Sequence, residues 1–592
     1  MFLLLVGAVL VEYDLPKARA RFGVREAILN ASQMLGCGVE LSAREKALEK
    51  SLRIQRNELL LTPDFPYGSP SAFYGAKERV EKSGLFGALH RMPKGAALHL
   101  HLELAGNYTW LAEVLVDKYW ENLYVNNNGS LNFRSGIPAK TMYPNATARW
   151  LFDKITYTSH DDSWQSPRAW DQFDKSFGFI ADLFDYLPML EAWLANTLRM
   201  FSAAGYGSLE LKYKYGGKYD DDGPVPVSRE VEMYRELQNN ILPFTVIAEI
   251  GRSQNQEKAL EDAGSQLEFA DVLDLVDEED KGHSYRYHRP TLEFAKSRGK
   301  VLVVHAGETS YAGATNRARP APDPEDLDIY DTSLNVVEAV AAGAHRIGHG
   351  ISAGHSHVVL QALAGSGTCV AVNPLSNLLL RFVPDLRSHS ARQLCAHRVP
   401  FVISNDDNAL FDTNPPTHDV VAAVVSWGLD LAQLKAILLA SVSEVCATTK
   451  IRQSDFEEAW DRWVETEPLV SSDDPRVWSR GDELEWQRWA DAKGYDCENG
   501  VLVLPQGECR CFEGFDGRNC SRSPKIPPSL LPLATFLLGA VSSALLLLTT
   551  TNVRRRHNPS TSPTDDTTIK KPTKAAMINS PTDTDGLLLR FP

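Results

Sequence analysis

Two histidines, His99 and His101, stand one residue apart in the run HLHLE, and Glu103 follows two places later. On a strand alternate residues share a face, so these three side chains are expected to point the same way. Two imidazoles so placed can bind one Zn²⁺, whose bonds to histidine nitrogen are ~2.0–2.1 Å long. An isolated H-x-H is more often surface or core histidine, so the pair gains meaning only from partners. His305-Ala306-Gly307-Glu308 ends a strongly apolar run, and Gly307 allows a turn that brings Glu308 to the same mouth as His305. Gly348-His349-Gly350 and Ser404-Asn405-Asp406-Asp407 end two more such runs. A solvated turn would accommodate the paired aspartates, but the apolar FVIS before them favours burial, which a cation would have to offset. Three histidines and a carboxylate make a hard site that leaves a position for water. Water activated there needs a base to orient it and an acid to protonate a substrate, roles that His349 and Glu308 can fill.

Positioning these groups calls for strands that open on one side. Short apolar runs recur at 96–102, 208–213, 244–250, 269–276, 301–306, 345–349, 369–374 and 401–405, several of them separated by helical stretches. Eight parallel-type strands suit an α/β fold of the (β/α)₈ TIM-barrel type carrying insertions. A doubly wound open sheet is the alternative. The polar residues ending each run favour the barrel, whose strands converge on one catalytic mouth. Before the first strand, Ser42-Ala43-Arg44-Glu45 forms a capping box, and an amphipathic helix follows that must pack on the barrel or on a second subunit. These N-terminal helices are a candidate homodimer contact.

The ends of the 592-residue chain read differently. MFLLLVGAVLV has signal-peptide length and Ala18-Arg19-Ala20 could be cleaved, although a mis-started reading frame would look the same. Leu530 to Thr551 is apolar, uncharged and long enough for one bilayer crossing. Arg554, Arg555, Arg556 and His557 follow at once, placing the tail in the cytoplasm and the bulk of the chain outside. The expected order is a signal peptide at 1–20, a helical extension at 21–92 and a barrel at 93–465 with an insertion at 107–165. A connector at 466–494, a small disulfide module at 495–522, a transmembrane helix at 529–551 and a disordered tail at 552–592 complete it. Four of the eight cysteines, Cys497, Cys509, Cys511 and Cys520, crowd into the module, whereas Cys37, Cys369, Cys395 and Cys446 are scattered. Sequons begin at Asn30, Asn107, Asn128, Asn145 and Asn519, matching an extracellular protein. The formal net charge of −15 argues against a nucleic-acid partner.

MPKGAALHLHLE, HAGET, RIGHG, NPLSN and SNDDNALF resemble, in order and spacing, the adenosine deaminases, and in particular their extracellular growth-factor-related branch. The likeness covers about residues 40–465. It implies a TIM barrel with Zn²⁺ on His99, His101, His305 and Asp406, and a small-molecule purine nucleoside as partner. It also implies Glu308 as proton donor to purine N1, His349 as orienter and base for water, and Asp407 as hydrogen-bond partner of the ring. Adenosine would become inosine with loss of ammonia. Glu103, Asp277 and Trp170 are further candidate substrate contacts. The cysteine module resembles the later part of an EGF-like domain, with Cys497–Cys509 and Cys511–Cys520 as the suggested pairs.

Departures from the family pattern are specific. Asp277 stands where a glycine usually contacts the purine, Glu103 where classical members carry Asp, and Asn408 where Pro is frequent. No cysteine lies between Cys37 and Cys369 to staple the insertion. The cytidine-type zinc deaminases are excluded, because no C-x-x-C occurs. A surface growth factor or receptor ligand on a deaminase scaffold would be expected to lack a ligand or Glu308, and none is missing. A two-metal amidohydrolase using a carboxylated strand lysine is the third reading, with Lys212 or Lys214 as candidates.

Overall fold

The computed structural model of the chain describes residues 39–62, 64–158, 168–280, 282–309, 332–448, 452–472, 477, 500–503 and 508–511. The expected signal peptide, Asn30, Cys37, Cys497, Asn519, Cys520, the transmembrane segment at 529–551, the tail and most of the connector lie outside them. Among the described residues no helix is long and apolar enough to cross a membrane.

Eight parallel strands form one sheet in strict chain order. They are β1 Gly95–His101, β2 Tyr206–Tyr213, β3 Phe244–Gly251 and β4 Val272–Val276, then β5 Val301–Ala306, β6 Arg346–His349, β7 Cys369–Val372 and β8 Phe401–Ile403. All eight overlap the apolar runs read from the sequence. The strands are almost wholly buried, as expected when helices cover a parallel sheet. The ring is nearly closed: Leu100 bridges to Asp406, the Asp406 amide donates to His99 O at 3.0 Å, and the His99 amide donates to Ser404 Oγ at 2.9 Å. Closure and the approach of Asp406 to His99 are therefore one and the same contact.

From residue 39 onward the N-terminal extension is helical and covers the barrel of its own chain. α1 (Ala43–Leu60) starts with the capping box, Ser42 accepting from the Glu45 amide while Glu45 accepts from the Ser42 amide. α2 (Pro70–Glu81) and α3 (Gly84–Arg91) follow, with Ser69 and Ser83 as N-caps. Arg44 donates to the carbonyls of Val464 and Glu467, and Glu45 accepts from Lys435 at 2.7 Å and Trp460 at 2.8 Å. Of the two surfaces proposed for this helix, the barrel side is the one it packs on. Between β1 and β2 lies the insertion, with a small antiparallel sheet of Leu131–Asn132, Tyr124–Val125 and Ile137–Pro138. Asn128 and Asn145 are exposed, while half-buried Asn107 caps the helix Tyr108–Val114.

One cross-link joins residues that the sequence left scattered. Cys369, the first residue of β7, and Cys446 form a fully buried disulfide across 77 residues. In the cysteine module, Gly500–Val503 and Glu508–Cys511 pair as an antiparallel hairpin, with Cys509 and Cys511 on its second strand.

Two measurements check this packing. Replacing both Cys369 and Cys446 by alanine is expected to cost about 2–4 kcal/mol of stability, read from denaturant midpoints at unchanged slope. Burial works against Glu45 ionisation, but Lys435, Ser42 and Trp460 outweigh it and hold the carboxyl at about 2 instead of 4.5. A depressed value means stability that is present above pH ~4.5 and lost as pH falls towards 2. Glu45→Gln is expected to lose roughly 1–3 kcal/mol at neutral pH, with the gap to the unmodified protein closing across that acid window.

Candidate active site

The polar residues gather at the C-terminal ends of the strands. His99 and His101 come from β1, His305 from β5 and His349 from β6, while Glu308, Asp406 and Asp407 lie just beyond β5 and β8. β1 ends at His101, so Glu103 sits in the short turn Leu102–Leu104 and not on the strand face expected for it. Gly348 leaves room for the imidazole of His99, because a Cβ there would lie 2.3 Å from His99 Cε1. Gly307 has φ +66, and a Cβ would meet Ser352 Oγ at 2.4 Å, so the turn that presents Glu308 needs glycine.

One ligand atom from each of His99, His101, His305 and Asp406 lies within 4.8 Å of every other. His101 Nε2 and His305 Nε2 are 3.3 Å apart, and Asp406 Oδ1 is 3.4 Å from His99 Nε2 and 3.6 Å from His101 Nε2. Donors ~2.0–2.1 Å from one tetrahedral ion would be separated by about 3.4 Å. Both ring nitrogens of His99 and Asp406 Oδ1 are buried without a hydrogen-bond partner. The donor set thus fits a small divalent cation in spacing and in unmet valence. Burial pushes His99 and His305 well down, leaving lone pairs for a ligand role. At His101 burial is outweighed by Asp407 and Glu249, and its value rises to about 9. A cation there competes with that proton.

A set of supports surrounds these four residues. Asp274 accepts from the His305 amide at 3.0 Å, and its other oxygen lies 2.9 Å from His305 Nδ1. Lys212 Nζ is 3.4 Å from that same oxygen and its side chain is 1% exposed, whereas Lys214 is tied to Asp262 and half exposed. Lys212 thus faces Asp274 across the barrel interior, where burial lowers the lysine and raises the acid. Glu279 accepts from the amides of Gly307 and Glu308 at 3.0 and 2.6 Å, and Arg252 donates to His305 O at 2.6 Å. Asp274 had a signal in the sequence, a lone acid inside the apolar VLDLV. Glu279 had none that separates it from Glu278 beside it.

His349 Nε2 lies 3.5 Å from Glu308 Oε1 and 3.8 Å from Asp406 Oδ2. Burial, reinforced by the carboxylates of Asp406 and Glu279, pushes Glu308 well up, which favours its protonated form. Burial and Asp406 do the same to Asp407. Burial together with Glu249 raises Glu103 to about 8. Three carboxyl groups whose protonated forms are favoured, beside a cation site, are suited to deliver protons to a basic heterocycle.

The remaining candidates make contacts of their own. Asp277 adopts φ +82, a conformation that favours glycine, and its carboxylate turns to accept from the Ser253 amide at 3.2 Å. Trp170 stacks edge-on against Phe173 and packs on Phe382, with Phe173 in turn touching Phe411 beyond Asp407. Asn408 donates to Gly106 O at 3.2 Å, a bond that proline could not make.

Residues 331–454 match the family model described as Adenosine deaminase. Adenosine deaminase 2-A of Danio rerio is 27% identical over 483 residues, which span 74% of this chain and 92% of that protein. Adenosine deaminase 2 of Sus scrofa is 27% identical over 502 residues, 76% of this chain and 94% of its own. Adenosine deaminase 2 of Dictyostelium discoideum is 25% identical over 481 residues, 74% and 84% respectively. These matches support a deaminase enzyme.

The site predicts its own metal dependence. His305→Ala and Asp406→Ala are expected to abolish stoichiometric binding of a divalent metal. Asp274→Asn, which leaves all four ligands in place, is expected to weaken it by ~10–100-fold in a chelator competition.

Proposed function

We propose that this chain, a deaminase enzyme of the adenosine deaminase family, hydrolyses adenosine and 2′-deoxyadenosine to the inosine nucleosides and ammonia with Zn²⁺ as cofactor. The observation that carries the reading is the spacing of four ligand atoms, with the buried carboxyl of Glu308 facing His349 beside them. His99, His101, His305 and Asp406 would hold the ion. When bound, it acts as a Lewis acid that makes water a competent nucleophile near neutral pH.

The protein's own groups do the rest. Glu308 gives its proton to N1 of the purine, which draws electron density from C6 and opens that carbon to attack. His349, facing both Glu308 and Asp406, orients the attacking water, whose two protons end on Glu308, restoring the acid, and on the amino group, which leaves as ammonia. Protonated Asp407 donates a hydrogen bond to another ring nitrogen and so fixes the base in register. Burial of these groups excludes bulk water that would otherwise compete for each hydrogen bond. Glu103 lies on the sugar side, and Asp277 and Trp170 shape the outer mouth.

The enzyme works outside the cell, with the apolar segment at 529–551 as its anchor and an EGF-like module at 495–522 preceding that segment in the chain. The buried Cys369–Cys446 disulfide supports an oxidising compartment, and the exposed sequon residues Asn128 and Asn145 are compatible with glycosylation there.

Glu308→Gln tests the reaction directly. It is expected to keep zinc but lower turnover of adenosine by at least ~10²–10⁴-fold, because the acid is gone while the ion stays. The assay follows loss of adenine absorbance together with metal content. Near-normal turnover in this variant would show that the proton comes from elsewhere.

A further inference from the structure

His349 is held from behind by a chain of hydrogen bonds that the reaction above does not use. Asn377, inside the helix Pro374–Leu379, places Nδ2 3.0 Å from His349 Nδ1, and Asn373 places its own amide nitrogen 3.5 Å from the same atom. Asn377 Oδ1 lies 2.9 Å from Nε2 of His389. The backbone amide of Ala391, at the start of the helix Ala391–His397, donates to His389 Nδ1 at 3.0 Å. His349, Asn373, Asn377 and His389 are each fully buried. Trp427 packs on the His389 ring, with centroids 5.2 Å apart.

Ring and amide orientations are normally a matter of assignment, but this chain ends on a group that has no alternative. A backbone N–H can only donate, so His389 Nδ1 must accept. Burial pushes His389 down to about 3, which leaves the ring neutral with a single N–H. That hydrogen is therefore on Nε2 and donates to Asn377 Oδ1. The amide of Asn377 is then oriented with its nitrogen towards His349, whose Nδ1 must accept in turn.

We infer that Asn377 and His389 are positioning residues that lock neutral His349 as the Nε2–H tautomer, so that it meets the reacting centre as a hydrogen-bond donor. In that state Nε2, the atom that faces Glu308 and Asp406, has no lone pair with which to take a proton. His349 therefore holds the oxygen of the attacking water and stabilises negative charge on it, in place of the base role that the family resemblance implies. This rests on the proposed deaminase site but concerns a proton position that exists without substrate.

The test is long-range ¹H–¹⁵N correlation on zinc-loaded, substrate-free enzyme with ¹⁵N-labelled histidine, His349 being identified by its loss in His349→Gln. The expected pattern is a pyrrole-type Nε2 and a pyridine-type Nδ1. A proton on Nδ1 would overturn the inference. Asn377→Asp puts an acceptor where the amide nitrogen stood and is expected to move the proton to Nδ1; an unchanged tautomer there would equally overturn it. His389→Leu serves if that variant fails to fold. It frees Asn377 to turn over, so His349 should show both tautomers and kcat should fall ~10–100-fold at similar KM, while His389→Gln, which can still donate, restores both. A His389→Leu enzyme with a single Nε2–H signature and unchanged kcat would exclude a role for His389. If the tautomer is as expected but adenosine is not turned over, the deaminase reading alone is at fault.

Discussion

A buried polar atom with no hydrogen bond costs about 1–3 kcal/mol, and the mouth of this barrel keeps several of them together. Both ring nitrogens of His99, Nε2 of His349 and one oxygen each of Asp406 and Asp407 are in that condition. No apolar packing nearby can offset this, so the balance has to come from charge arranged in depth. Beneath the ligands, Lys212 pairs with Asp274, and two residues earlier on the same strand Glu210 pairs with Arg346, whose guanidinium also donates to Leu98 O at 2.7 Å. Because Glu210 and Lys212 are two apart on β2, they share its face, and the barrel interior is ionic over successive levels. Such pairs are poor sources of stability by themselves. What they supply here is a fixed field in which His99 Nε2 and Asp406 Oδ1 can remain unpaired.

Backbone strain is concentrated at the same place. Asp277, His349 and Asp406 all have positive φ, at 82, 66 and 52 degrees. Non-glycine residues so placed cost on the order of 1–3 kcal/mol each and persist only where their surroundings over-determine them. For Asp406 the surroundings are the closure of the barrel, since its amide is bonded to His99 O. For His349 they are the Asn377 and Asn373 amides behind the ring. Strain and unmet polarity thus coincide at His349 and Asp406, and a contact that closes the fold is one that holds the site.

Legibility in the sequence follows from how local each signal is. β1, β5 and β8 are plain because an apolar run ends in an abrupt polar motif, and the family resemblance singled out His99, His101, His305 and Asp406 within those motifs. Each of them is a break in a short, strongly patterned segment. Asp274 was half visible as an acid inside a buried strand, but its meaning depends on Lys212 and His305, 62 and 31 residues away. His389 lies in the polar loop LRSHSAR, where a histidine is unremarkable until the fold sets it behind Asn377. The Cys369–Cys446 bond gave no sign, because 77 residues and a whole strand separate its ends. Glu103 was placed on a strand face because alternation was carried two residues beyond the point at which the strand stops.

The N-terminal extension bears on the site more closely than its sequence suggests. Tyr74 on α2 donates to Phe411 O at 2.8 Å, and Lys77 donates to Asp412 O at 2.7 Å while pairing with the Asp412 carboxylate at 3.0 Å. Glu81, a turn further along, is 2.9 Å from His418. These three residues of one helix grip the segment that begins at Asp406 and Asp407, and that segment contains a second positive-φ residue, Asp412 at 50 degrees. The Phe411 amide in turn bonds back to Asp407 O. A segment bent in this way needs contacts on its outer side, because its inner side carries the unpaired oxygens of Asp406 and Asp407. Helix α2 provides them, which makes the extension part of the structural support for the paired aspartates and not an appendage to the barrel.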